Sequence, residues 1–127
     1  MAIMVEIAPG ELVDKLTILE IKLERITDAL KLSNVRIEHE SLAKVAAGIP
    51  PSAPLRDLTA RLKEINGRLW AIEDDIRDLE RAKNFGTEFV ALARSVYRTN
   101  DERAAVKRQI NELLHSAIVE EKSYASY

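Results

Sequence analysis

Residues 55–79 read LRDLTARLKEINGRLWAIEDDIRDL, and the spacing inside this stretch decides the fold class. Leu55, Leu58, Leu62, Ile65, Leu69, Ile72, Ile76 and Leu79 follow one another at alternating steps of three and four residues. A helix turns once in 3.6 residues, so such spacing gathers aliphatic side chains on one face. Sustained over successive heptads, it predicts coiled-coil-like packing against another helix. Charged residues fill most of the remaining positions, as a solvated outer face requires.

The same pattern continues on both sides of this segment. Upstream, Gly48, Pro50, Pro51 and Pro54 interrupt the chain, and before them Leu12, Leu16, Leu19, Leu23, Ile26 and Leu30 repeat the spacing behind Pro9 and Gly10. Downstream, Asn84 and Gly86 mark a turn, and from it Phe85, Phe89, Leu92, Val96, Val106, Ile110 and Leu113 form a third seam. These stops predict helices over about 11–47, 54–83 and 87–122 within a single domain, residues 1–127. Short hinges make consecutive helices antiparallel neighbours, so the expected fold is all-α, an up-down-up bundle of three long antiparallel helices. Ile3 to Ile7 alternates like a strand and allows a short N-terminal β arm.

Composition narrows the function classes. The chain has 127 residues, 46% hydrophobic and 31% charged, with four Gly and four Pro, the profile of a helical globular domain. A net charge of -2 provides no cationic field for nucleic acid or an anionic membrane surface, so neither is expected as a partner. No cysteine is present and only His39 and His115 offer imidazole, which leaves no thiolate chemistry and no histidine cluster for a metal. Glu20 and Glu24 lie one turn apart but lack the histidine that a bundle metal site pairs with them, so pairing with Lys or Arg is the expectation. No apolar run reaches a membrane span, and MAIMVEIAPG lacks a basic export region, so a cytoplasmic location is expected. Gly-rich phosphate loops and nucleophile elbows are absent, so no catalytic residue, cofactor or metal is assigned.

One interruption stands out. Within residues 92–111, LARSVYRTNDERAAVKRQIN, the third seam gives way at Thr99 and Arg103 before resuming at Val106. Counting outward from the turn at 84–86 in an antiparallel register, neighbours in the second and third helices have numbers adding to about 170. This sets Asn66 and Trp70 level with Thr99, Asn100 and Arg103, and a continuous first helix would bring Ser33 and Asn34 to the same height. The layer has two readings: a buried polar layer that fixes register and oligomeric state, or a pocket holding an anionic or polar ligand. Asn34, Asn66, Trp70, Tyr97, Asn100 and Arg103 are therefore the candidate ligand-binding residues. If Arg103 fixes register, its replacement by leucine is expected to leave the fold intact. The same count puts Glu73, Asp74, Asp75 and Asp78 beside Arg94 and Arg98 as an ion-pair ladder. Tyr124 and Tyr127 are read as a frayed tail.

Ile18 and Ile21 fall off the first seam and call for cover from the N-terminal stretch or another chain. Homo-oligomerisation, with a dimer favoured, is the resulting expectation, and a further protein partner is compatible with it. The expected role is a self-associating structural or protein-interaction module. The alternative is a small-molecule binding protein or all-helical enzyme with its site near Trp70, Asn100 and Arg103.

PGELVDKLTILEIKLERI (9–26), LARSVYRTNDERAAVKRQIN (92–111) and VEEKSY (119–124) resemble the corresponding stretches of an uncharacterised bacterial family of small helical proteins, a domain of unknown function. The resemblance spans nearly the whole chain and brings no assigned active site. It implies a cytosolic bacterial protein. It also implies an occasional association of such domains with repeat or glycosyltransferase-like regions, and hence a supporting role near surface-polysaccharide synthesis.

Overall fold

The computed structural model describes residues 1–127 as an all-α chain of four helices and no strand. They are α1 (Pro9–Arg25), α2 (Ala29–Ala46), α3 (Ala53–Arg81) and α4 (Thr87–Leu113). The spacing in the sequence predicts three, with one helix running through 11–47. That helix breaks at Ile26 to Asp28, where Ile26 (φ -78°, ψ 135°) and Asp28 (φ -66°, ψ 123°) are extended. The Asp28 carboxylate accepts a hydrogen bond from the Lys31 backbone N–H at 2.9 Å, an N-cap that starts a new helix. Ile26 keeps the apolar spacing across the break, which conceals it in the sequence.

The break folds α2 back along α1. On α2 the shielded positions are Leu32, Val35, His39, Leu42 and Ala46, again at steps of three and four, with Ala43 beside them, and this stripe lies on α1. Among the helices α2 touches α1 alone, whereas α1 also packs on α3 and α4. α1 is therefore the middle layer between α2 and the α3–α4 hairpin. Helical phase turns Leu12, Leu16, Leu19 and Leu23 toward α2 and turns Gly10, Asp14, Thr17 and Ile21 toward the hairpin. Ile21 is buried within the chain itself, and Ile18 is partly buried beside it, so neither waits for a second chain to cover it.

α3 and α4 form an antiparallel hairpin in the expected register, tied by Arg68 to Glu102 and by Arg61 to Gln109. Both helices end in the same way. Lys83 (φ 55°) and His115 (φ 54°) take the left-handed conformation, while Asn84 N–H donates to the Leu79 carbonyl and Ser116 N–H to that of Asn111, each at 2.9 Å. This 6→1 bond closes a Schellman cap. It also stops α4 at Leu113 rather than near 122, and residues beyond it fold back along the helix.

The apolar core joins Val13, Leu62, Ile65, Val106 and Ile110, with Leu55, Leu58, Leu69 and Leu114 packed against it. It occupies the half of the hairpin that α1 covers. Close approach there depends on Gly10, since a Cβ at that position would lie 2.5 Å from the Lys107 carbonyl oxygen. The far half of the hairpin is two helices alone, tipped by Phe85 and Phe89 with ring centroids 5.2 Å apart, edge to face. The N-terminal stretch through Ile7 is not a strand, so the β arm is not formed. No helix is long and apolar enough to cross a membrane.

Candidate functional site

The densest polar chemistry lies where α1 meets the hairpin. Asp14 sits on the inner face of α1 and is fully buried. Arg103 grips its carboxylate with two bonds, Nε to Oδ1 at 2.9 Å and Nη2 to Oδ2. From α3, Asn66 Nδ2 donates to Asp14 Oδ1 and to Thr17 Oγ1, both at 2.9 Å, and the Thr17 hydroxyl donates to the Asp14 carbonyl at 2.8 Å. Three helices thus converge on one carboxylate. One turn further along α4, Lys107 Nζ bonds Glu11 at 2.7 Å and Glu120 at 3.1 Å, and Asn111 Oδ1 accepts the Gly10 N–H at 2.7 Å. Every buried side-chain nitrogen and oxygen has a partner.

Burial alone would push the Asp14 carboxyl up, but the bonds from Arg103 and Asn66 outweigh it and hold the group below its ordinary range. The bond to Asp14 raises Arg103 in turn. Burial would lower Lys107, yet its bonds to Glu11 and Glu120 leave it raised, while Glu11 is lowered chiefly by its bond to Lys107. All four groups are held in their charged forms. A metal ion at Asp14 or Glu11 would have to displace Arg103 or Lys107, so this donor set suits internal ion pairs rather than a cation.

Four of the six candidate residues come together. Asn66, Trp70, Asn100 and Arg103 line one groove of about 520 Å³, whose other wall includes Ile18 and Ile21 of α1. Tyr97 lies on another side of α4 and faces the C-terminal tail. Asn34 is excluded: it is exposed on α2, a helix that does not touch α3 or α4, and the break at 26–28 cancels the count that had brought it level. Its expected place in the layer is taken by Asp14 and Thr17. Sequence reasoning missed both, although an Asp and a Thr three residues apart on an otherwise apolar helix face were a usable signal.

The acidic ladder also takes another form. Glu73 pairs with Arg77 and Asp78 with Arg81, inside α3, and no ion pair reaches Arg94 or Arg98. Lys63 bridges Glu20 and Glu24 at 3.5 and 2.7 Å, the pairing expected of those two carboxylates.

The tail is docked rather than frayed. Besides Glu120 on Lys107, Glu121 reaches Arg108 at 3.5 Å and Lys122 reaches Asp101 at 2.9 Å. The Tyr127 hydroxyl donates to Asp101 at 2.7 Å, and its ring lies 5.1 Å from that of Tyr97. Tail and helix enclose a second groove of about 1170 Å³, in which Arg103, Lys107 and Lys122 are matched by Asp101, Glu120 and Glu121.

A family model described as a family of unknown function (DUF6165) matches residues 3–127. Neither a curated protein nor a solved structure matches the chain.

Proposed function

Because the chain belongs to DUF6165, a family of unknown function, its role has to be argued from its own geometry, and we propose a self-associating helical interaction module. The observation that carries this reading is the closure of the polar cluster. Arg103 is committed to a fully buried carboxylate and Lys107 to two carboxylates, so the cluster offers no unpaired cation to an anionic substrate. Such a cluster fixes how α1 seats on the hairpin, the role that buried polar groups best support. Apolar residues, by contrast, are left outside. Ile3, Met4, Val5 and Ile7 are exposed where the chain leads into α1, and Ile118 and Val119 are exposed just past α4. The bond between Gly10 and Asn111 joins the start of α1 to the end of α4, so both groups belong to one end of the molecule. A second copy meeting this end would cover both sets together.

Sedimentation equilibrium tests the reading. The expected mass is at least twice the 14.3 kDa of the chain, and deletion of residues 1–7 should weaken the association. A parent protein that stays monomeric at high concentration overturns it.

A second reading, a small polar ligand in the groove beside Trp70, draws on the assembly of Asn66, Asn100 and Arg103 around the only tryptophan. It requires a Trp70 fluorescence change on titration with dicarboxylates or sugar phosphates.

A further inference from the structure

The C-terminal tail is bound to its own chain in a manner that a second copy can reproduce. Its anchors are side-chain contacts on the surface of α4: Glu120 on Lys107, Glu121 on Arg108, Lys122 and Tyr127 on Asp101, and the Tyr127 ring against Tyr97. Lys107 and the half-buried Asp101 aside, these groups are solvent-exposed, and ion pairs of that kind hold weakly, so the tail is free to leave and return. The order of charges along the tail, two acids, then a base, then a terminal tyrosine, complements the order along α4. That match depends on sequence alone, not on both partners belonging to one chain.

The hinge permits exchange. The tail turns back through His115 at φ 54°, a left-handed conformation that a residue with a Cβ adopts less readily than glycine. Opening the turn relieves this conformation and sends the tail straight on past the end of α4. A copy related by a two-fold axis, its α4 end facing the first, receives it on the same contacts. Straightening also carries Ile118 and Val119 into the space between the copies, beside the exposed Ile3, Met4, Val5 and Ile7 at that end. Closed and exchanged forms therefore share the side-chain anchors of the tail and differ at the hinge, where relief of the His115 conformation is offset by loss of the 6→1 bond from Ser116 N–H to Asn111, and in covered apolar surface, which favours exchange.

We infer that two copies of this chain exchange their C-terminal tails, residues 116–127 of each docking on α4 of the other through Asp101, Lys107, Arg108 and Tyr97. This rests on the self-association proposed above and names the element that carries it.

Charge reversal at the partly exposed Lys122–Asp101 pair tests it in the full-length chain. One variant carries Asp101→Lys and another Lys122→Asp, both outside the buried cluster. Each alone mismatches its own tail and groove, whether closed or exchanged. Mixed, they match in both crossings, tail of the first on groove of the second and the reverse. Sedimentation of the mixture should show a heterodimer at twice the chain mass. It should be about tenfold tighter than either variant's self-association, a modest sum of two restored charged contacts and two relieved repulsions. Circular dichroism matching the parent's establishes that both variants are folded. If both single variants dimerise as tightly as the parent and mixing adds nothing, self-association stands and tail exchange is overturned. If parent and mixture are both monomeric, both readings fall together.

Discussion

Asp14 carries its charge inside the protein because Arg103 and Asn66 satisfy both carboxylate oxygens, and that sets how stability depends on pH. Its folded pKa lies below the ordinary value of 3.8, so the unfolded chain takes up the proton first as pH falls. The stabilisation is present above the unfolded value and is lost as pH drops through the folded one. Glu11, also lowered, acts in the same direction from its ordinary 4.5, whereas raised Lys107 contributes below about 10.5 and loses its contribution as pH rises through its folded value. Urea midpoints at neutral pH and near pH 3 check the acid side. The parent should lose stability over that interval, and Asp14→Asn, which cannot titrate, should lose distinctly less. Equal losses would place the acid-sensitive group elsewhere. Asp14 and Thr17 were visible as polar residues on an apolar helix face, but the pairing of Asp14 with Arg103 was not, because the two lie 89 residues apart and no local spacing links them. Arg103, Asn100, Asn66 and Trp70 were legible, since one tight turn fixes the antiparallel count between their helices.

At the scale of elements, legibility follows the hinges. α3 and α4 are readable because the hairpin turn is short and both seams remain in phase over their length. α1 and α2 were read as one because Ile26 and Leu30 keep the spacing, while Asp28 carries a cap whose effect depends on whether α2 has a surface to fold back on. The far end of α4 was overrun for the opposite reason: its stop is made by His115 in a conformation that glycine usually supplies, so no glycine marks it. α2 also differs energetically from the others. It rests on a single neighbour and buries fully only Val35, so it should open locally at lower free energy than the rest. Native-state hydrogen exchange should show the α2 amides less protected than those near Leu62 of α3. Asp28→Ala should cost α2 about 0.5–2 kcal/mol through the lost cap, speeding its exchange while leaving the slow α3 amides little affected. Uniform protection across α2 and α3 would show that α2 folds and opens with the whole.

At the scale of the whole molecule, α1 is the piece on which everything else is arranged. It carries α2 on one face and meets the hairpin with the other, and the second contact is made by the core around Val13 and by the polar cluster around Asp14. Viewed without its partner, Arg103 is a charge whose replacement by leucine removes a liability. Beside a fully buried Asp14, the same replacement strands a carboxylate. The cost of breaking such a pair from one side is about 3–5 kcal/mol, while replacing both partners with apolar groups is often neutral or better. The measurement that bears most directly on the cluster as a packing device is therefore urea unfolding of Arg103→Leu, Asp14→Leu and the double variant. Each single change should lower stability by roughly 3–5 kcal/mol, and the double variant should recover most of that loss. Single variants as stable as the parent, or a double variant no better than either single one, would contradict the seating of α1 through this pair.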